Sequence, residues 1–346
     1  MAAVNTSSAI LRRALLYVPA SSPRMLSKSL GLTCDNITYD LEDSVTPVAK
    51  SSARAALREH LAGLAARPPG VSELAVRINA VSTPYALAAL MALGALPQLD
   101  AVVVPKVNSA SDLAFVAGVL RGLRATRNGK REREPERDQA RVKLIALIES
   151  ARAVMDLREI CAVAASTRLD GLIFAAEDFA LDLSLTRTPD LTEFLYARSA
   201  IVTAARAAGL PSTIDLVCTS FRGPEGVARL EEECRNGKSV GFNGKQCIHP
   251  SQVDTVQRMF APSSKEAEWA VRVIIADEKA ASSGRGAFTL DGSMIDAPVT
   301  GKARAMVEKA RRCGLDVDRL RYKWKDQEPE EERAIRPLTP GHSERH

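Results

Sequence analysis

Two short apolar runs in this chain end in carboxylates. One reads Lys143-Leu-Ile-Ala-Leu-Ile-Glu149 and the other Gly171-Leu-Ile-Phe-Ala-Ala-Glu177-Asp178. Runs of this length, separated by a helix-length segment at 151–165, predict buried parallel strands. A carboxylate at the C-terminal end of such a strand lies on the face where α/β folds place their ligands. Glu149 and Asp178 are therefore candidate metal ligands; the plainer alternative is that each caps the next helix or meets an arginine. Two protein carboxylates with no histidine pair nearby suit magnesium, which keeps waters and accepts substrate oxygens. They suit zinc or non-haem iron poorly. A metal so placed acts as a Lewis acid on a carbonyl. Arg77 would offer planar donors to a substrate carboxylate or a developing oxyanion, or would pair with Glu42 or Asp43 behind it. Such a site stabilises enolates, so the reaction class is the making or breaking of a C–C bond next to a carbonyl.

That chemistry needs a general acid/base. His60 falls in a helical stretch, His342 and His346 in a charged tail, and His249 in a Pro-bounded loop. Asp296 lies on the Gly-rich segment 283–298, which could close as a lid. Its bland alternative is to cap the helix that follows.

These groups need a scaffold to bring them together. Strand signals occur at 14–19, 36–43, 73–79, 101–106, 142–149, 172–178, 212–217 and 239–248, each followed by a helix signal. Eight βα repeats over about 250 residues predict a (β/α)8 TIM barrel with a C-terminal helical and lid extension. The rival doubly wound sheet lacks a G-x-G-x-x-G after its first strand. In a barrel the polar groups should gather at the C-terminal strand ends, where Asp40, Glu42, Asp43, Arg77, Lys106, Glu149, Glu177, Asp178, Asp215, Lys245 and His249 all fall. The expected organisation is a disordered leader at 1–11 and a catalytic barrel at 12–260 with a charged insertion at 121–141. C-terminal helices and a lid follow at 261–312, then a disordered tail at 313–346.

The net charge of +5 is local: residues 121–143 carry nine Lys/Arg and four Asp/Glu, while the rest balances at 38 against 38. The segment is mixed in sign and lacks aromatics, which reads as a solvated insertion and not a nucleic-acid surface. No apolar run approaches a membrane span. The six cysteines are scattered, suggesting neither a zinc site nor a disulfide framework, and fit a reducing compartment. No acidic residue precedes Asp35, and Arg12, Arg13, Arg24 and Lys28 lie before it, weakly like a mitochondrial presequence. The brevity of the leader leaves the cytoplasm as the alternative.

Several phrases occur in order along residues 12–310: Arg12-Arg-Ala-Leu-Leu-Tyr-Val-Pro19, Asp40-Leu-Glu-Asp-Ser-Val45, Arg77-Ile-Asn79, Pro105-Lys106, Ile148-Glu149, Glu177-Asp178-Phe179, Gly241-Phe-Asn-Gly-Lys-Gln-Cys-Ile-His-Pro250 and Gly286-Ala-Phe-Thr-Leu-Asp-Gly-Ser-Met-Ile-Asp-Ala-Pro298. With them the chain resembles the citrate lyase β-subunit-like branch of the HpcH/HpaI aldolase/citrate lyase superfamily. The resemblance implies magnesium on Glu149 and Asp178 and a substrate contact from Arg77. It implies an acyl-CoA site lined by Tyr17, Arg24 and Lys28, and a ligand contact from the Ile248–His249 loop. It makes Asp296 the acid/base, on a lid that covers a neighbouring subunit's site in a homotrimer. The implied activity is magnesium-dependent C–C cleavage of an acyl-CoA, (3S)-citramalyl-CoA giving pyruvate and acetyl-CoA. Alternatives are a malate synthase-like condensation of glyoxylate with acetyl-CoA plus thioester hydrolysis, or a citryl-lyase subunit fed by a carrier protein. Arg24 stands where close relatives have Lys, which keeps the charge but alters its geometry. Pro19-Ala20-Ser21 replaces a Pro-Gly phrase, leaving a less permissive loop.

Overall fold

The computed structural model describes residues 10–128 and 142–330. The chain divides into two compact units, Met1–Phe260 and Ala261–His346. In the first, eight parallel strands close into a barrel in sequential order: β1 (Ala14–Pro19), β2 (Cys34–Asp40), β3 (Val71–Arg77), β4 (Ala101–Val104), β5 (Lys143–Ile148), β6 (Leu169–Phe174), β7 (Ser212–Asp215) and β8 (Gly244–Cys247). The helices between them are α1 (Pro23–Ser29), α2 (Lys50–Ala62), α3 (Pro84–Leu93), α4 (Ala110–Asn128), α5 (Ala151–Met155), α6 (Leu157–Ala162), α7 (Ala164–Thr167), α8 (Ala176–Leu183), α9 (Leu195–Ala207), α10 (Gly223–Val240) and α11 (Val253–Phe260).

The strands read as unbroken apolar runs because both faces are buried. Leu15, Ala75, Val103, Ile145, Ile173 and Ile214 fill the barrel. One residue on, Leu16, Val76, Val104 and Ala146 pack outward against the helices. This alternation decides which polar groups look into the barrel. Tyr17, Asp40, Arg77, Glu149 and Gln246 share the inward parity, whereas Asp215 and Lys245 share the outward one.

The floor of the barrel is polar. Arg12 forms a two-toothed ion pair with Glu73 (2.6 and 2.7 Å) and donates to Ser212 Oγ at 2.9 Å, and Asn36 donates to Glu73 at 2.6 Å. On one flank, β7 and β8 pair at two positions, Ile214 with Gly244 and Asp215 with Lys245. There Asn243 takes over from the ladder. Its N–H donates to Thr213 O (3.0 Å), its Oδ1 accepts from Thr213 N (2.8 Å) and its Nδ2 donates to Pro211 O (2.6 Å). Gly244 is required beside β1, because a Cβ there would run into the Arg12 carbonyl oxygen.

The second unit holds α12 (Ser264–Ser282), a hairpin of β9 (Phe288–Leu290) and β10 (Ser293–Ile295), α13 (Ala297–Arg312) and α14 (Val317–Lys323). Val271, Ile274, Phe288, Leu290, Ile295, Ala303, Val307 and Val317 form its core. A capping box, Ser263 with Glu266, starts α12.

The structure corrects four expectations. The segment 151–165 is three short helices, broken at Asp156 and Val163. Strand six stops at Phe174, and Glu177 and Asp178 lie in the first turn of α8, where carboxylates favour a helix N-terminus. The Gly-rich segment is a hairpin, turned at Asp291-Gly292 with φ of 51° and 70°, the left-handed pair that Asp-Gly accepts readily. The tail expected to be disordered from 313 is ordered to Glu330, since Val317 is buried in the core and Glu330 bridges Thr289. In the expected insertion α4 continues to Asn128, and 129–141 lie outside the described residues, as do 1–9 of the leader and 331–346 of the tail. Among the described residues no helix is long and apolar enough to cross a membrane.

Candidate active site

At the C-terminal mouth of the barrel a cleft of about 460 Å³ is lined by Tyr17, Asp40, Asp43, Arg77, Glu177, Asp178, Gln246 and Ile248, among others. Its floor follows from the inward parity. Gln246, buried on β8, donates to the carbonyls of Phe174 (2.9 Å) and Asp215 (3.0 Å) and accepts from the Tyr17 hydroxyl at 3.0 Å. Tyr17 supports Arg77, whose guanidinium carbon lies 4.7 Å from the ring centre.

Arg77 is fixed from behind. Asp40 is its register partner across β2 and β3 and accepts from Nε at 2.7 Å and Nη2 at 2.8 Å. Nη1 lies 3.1 Å from both Glu42 and Asp43, and its aligned bond goes to Asp43. Burial would raise the Asp40 carboxyl, but Arg77 outweighs it and holds the group below the usual range. The sequence suggested Glu42 or Asp43 as the partner of Arg77; they assist, while Asp40 makes the two-toothed bond.

Glu149 follows β5 directly and is buried, and Asp178 is a half-exposed residue on α8. Lys106 links them. Its backbone N–H makes a short bond to Glu149 Oε1, and its Nζ lies 3.2 Å from Glu42 and 3.6 Å from Asp178. Its φ is 52°, a left-handed backbone that side-chain-bearing residues adopt at a cost and that clusters at functional sites. Burial, then the neighbouring Glu42, pushes the Glu149 carboxyl up to about 8. Burial also pushes Glu42 up to about 7, against the pull of Arg77.

The cluster fits a hard cation. Asp40, Glu42, Asp43, Glu149 and Asp178 place five carboxylates against the two side-chain cations Arg77 and Lys106. Glu42 Oε2 is buried and makes no aligned hydrogen bond, with Arg77 Nη1 3.1 Å away. All the donors are oxygens, which favours magnesium over softer metals. Among the described residues no three His, Cys, Asp or Glu side chains gather around one point. A metal on Glu149 and Asp178 would therefore take its remaining ligands from water or substrate, as magnesium does.

The other candidates stand apart. Arg24 and Lys28 are exposed on α1 and make no ion pair among the described residues. Ile248 lines the cleft. His249 caps the short helix Pro250–Gln252 and stacks on Phe221 at 4.9 Å, and it is not among the lining residues. Asp215 and Lys245, expected at the mouth, turn outward instead. Asp215 pairs with Arg198 of α9 at 2.6 Å, and Lys245 with Glu233 of α10 at 3.0 Å. Asp296 belongs to the second unit and caps α13, accepting from Val299 N at 3.2 Å. Asp40 and Lys106 were expected at the strand ends, though without a role, and Gln246 was not named among those groups. Strand parity, counted from Tyr17 and Arg77, would have found Asp40 and Gln246.

Residues 13–250 match the HpcH/HpaI aldolase/citrate lyase family. The chain belongs to that family. It is 35% identical over 303 residues to the citrate lyase subunit beta of Leuconostoc mesenteroides subsp. cremoris, covering 87% of this chain and 93% of the relative. It is 33% identical over 310 residues to the mitochondrial citramalyl-CoA lyase of Homo sapiens, covering 87% and 86%. Among solved structures it is similar to protein CitE from Mycobacterium tuberculosis in complex with magnesium, acetoacetate and coenzyme A. The TM-score is 0.66 at 31% identity, over 86% of this chain and 97% of that one. The citrate lyase subunit and the citramalyl-CoA lyase are lyases by name, and the barrel described above is an enzyme of that class.

Proposed function

We propose that this protein is a magnesium-dependent acyl-CoA lyase that cleaves (3S)-citramalyl-CoA to pyruvate and acetyl-CoA. The observation that carries this reading is the cation-seeking carboxylate cluster around Lys106, joined to Arg77 through Glu42 and reaching the cleft at Asp178. Glu149 and Asp178 would hold magnesium, with Glu42 and Asp43 around them. The ion supplies Lewis acidity toward the keto-acid oxygens of the substrate. Arg77, locked by Asp40, steadies the charge that develops on them. Asp296 takes the proton of the substrate hydroxyl. The bond between the hydroxyl-bearing carbon and the thioester-side CH2 then breaks, and its electron pair passes into the thioester as an enolate. The proton returned to that CH2 gives acetyl-CoA, and the other fragment leaves as pyruvate. Tyr17, Arg24, Lys28 and the Ile248–His249 loop are assigned to the acyl-CoA, the two exposed cations facing its phosphates. A homotrimer, with the Asp296 segment serving a neighbouring subunit, completes the reading. Likeness to the mitochondrial citramalyl-CoA lyase supports a mitochondrial address, with the cytoplasm as the alternative.

Purified protein with magnesium and a panel of acyl-CoA thioesters tests the assignment. Pyruvate and acetyl-CoA should accumulate from citramalyl-CoA. Likeness to a citrate lyase subunit favours a second reading, in which the acyl group arrives on a carrier protein. Inactivity on every acyl-CoA combined with cleavage of an acylated carrier would replace the first reading with the second.

Magnesium binding should depend on pH. Below about 8 the metal must displace a proton from Glu149. Affinity measured by calorimetry should climb by up to about tenfold per pH unit on approaching that value, then level off. The metal-free fold shows the same linkage. A carboxyl raised above its ordinary 4.5 binds its proton more tightly when folded, so stability falls as pH rises from there through about 8. Glu149→Gln should weaken magnesium binding and leave only the part of the stability trend that Glu42 carries up to about 7; a variant that binds magnesium as tightly as the wild type would count against Glu149 as a ligand.

A further inference from the structure

The chain after α14 carries a strap that meets the hairpin leading to Asp296. Both carboxylate oxygens of Glu330 are used at the hairpin tip: Oε1 accepts from Asp291 N at 2.8 Å and Oε2 from Gly292 N at 3.2 Å. The Glu330 N–H donates to Thr289 O at 2.9 Å, adding an antiparallel bridge beside β9. The Asp291 side chain is held in turn by Arg272 of α12, whose Nη1 and Nη2 donate to it at 2.8 and 2.7 Å. The same guanidinium donates through Nε to Gln327 at 2.8 Å and lies 4.6 Å from the Trp324 ring centre. Trp324 Nε1 donates to Glu268 at 2.7 Å, and Pro329, next to Glu330, is buried. The strap is therefore anchored at Trp324, Gln327 and Pro329, and it ends in a carboxylate clamped on two successive backbone N–H groups.

Those two N–H groups belong to Asp291 and Gly292, with φ of 51° and 70°. A turn of this type sets the register of the strands it joins. Ile295 pairs with Phe288 and buries its side chain in the core, and the next residue is Asp296. The clamp thus fixes the turn, the turn fixes the β9–β10 register, and the register fixes where Asp296 leaves the hairpin.

We propose that Glu330 is a positioning residue for Asp296, acting through the Asp291–Gly292 turn. The proposal rests on the reading of Asp296 as the acid/base. Reacting groups misplaced by about an ångström can lose up to about a hundredfold in rate, so Glu330 should act on kcat and not on acyl-CoA binding.

The test uses the full chain with Glu330→Ala, Glu330→Gln, Asp296→Asn and the Glu330→Ala/Asp296→Asn double variant. Glu330→Ala should lower kcat by about tenfold to a hundredfold with KM for citramalyl-CoA unchanged. Glu330→Gln keeps one acceptor oxygen and should lose less. The double variant should be no slower than Asp296→Asn alone, because the two changes remove one function. Hydrogen exchange at the Asp291 and Gly292 amides should quicken in Glu330→Ala. Losses that multiply in full in the double variant, or amides as protected as in the wild type, would overturn the proposal. Full turnover by Asp296→Asn would instead overturn the role given to Asp296, and the exchange data would still report the clamp.

Discussion

Asp296→Asn should turn over citramalyl-CoA about 10²–10⁴ times more slowly than the wild type, the usual worth of a general acid/base. The choice of asparagine isolates the chemistry. Asp296 caps α13 through Val299 N, and Asn caps helices about as well as Asp, whereas Ala would cost about 1 kcal/mol of helix stability. The variant should melt with the wild type, keep its KM and lose kcat. Turnover within a fewfold of wild type, with unchanged melting, would move the proton chemistry to another group.

The second large effect lies at the opposite end of the barrel and concerns stability. Glu73→Ala takes the two-toothed partner from the Arg12 guanidinium, almost wholly buried, and leaves it Asp170 at 2.7 Å, so the loss should fall toward the lower end of the range for a broken buried pair. Breaking a buried pair from one side costs about 3–5 kcal/mol, which for a domain of this size lowers Tm by roughly 6–20 °C. Removing both charges, as in Arg12→Met with Glu73→Leu, should recover most of the loss, because neither group is then stranded. Acid should weaken the floor in the wild type as well. Burial would raise Glu73, but Arg12 outweighs it and holds the carboxyl low, so the stability the pair contributes is kept above the ordinary carboxylate range and lost as pH falls below it. A Glu73→Ala melting curve that overlays the wild type would remove the floor network from the account of the fold.

Much of the barrel was legible because burial on both strand faces writes apolar runs into the sequence, and helices interrupt them at regular intervals. Strand ends were less legible. Leu-Ile-Phe-Ala-Ala-Glu-Asp continues its apolar character past Phe174, so the switch from strand to α8 at Ala176 leaves no mark in hydropathy. The direction of a polar side chain was readable only by parity, which sends Gln246 inward and Lys245 outward from adjacent positions. Asp291-Gly292 is a hairpin turn signal, but the glycines around it pointed to a flexible lid. What no local pattern encodes is the order of residues 324–330. Their contacts are to Arg272 and the hairpin tip, 39 positions back from Glu330 to Asp291.

The join between β7 and β8 bears on how the barrel comes apart. A wall held at two ladder positions and completed by the side chain of Asn243 has less backbone pairing to lose there than between β1 and β2. Partial opening starts where the free energy of separation is smallest, so this seam should part before the others. Cys247 on β8 and Cys234 on α10, both fully buried, stand beside it, while Cys161 on α6 lies on another arc of the wall. These three thiols thus make a built-in stopwatch: under mild denaturant, alkylation should reach Cys247 and Cys234 ahead of Cys161, timing the first breach of the closed sheet.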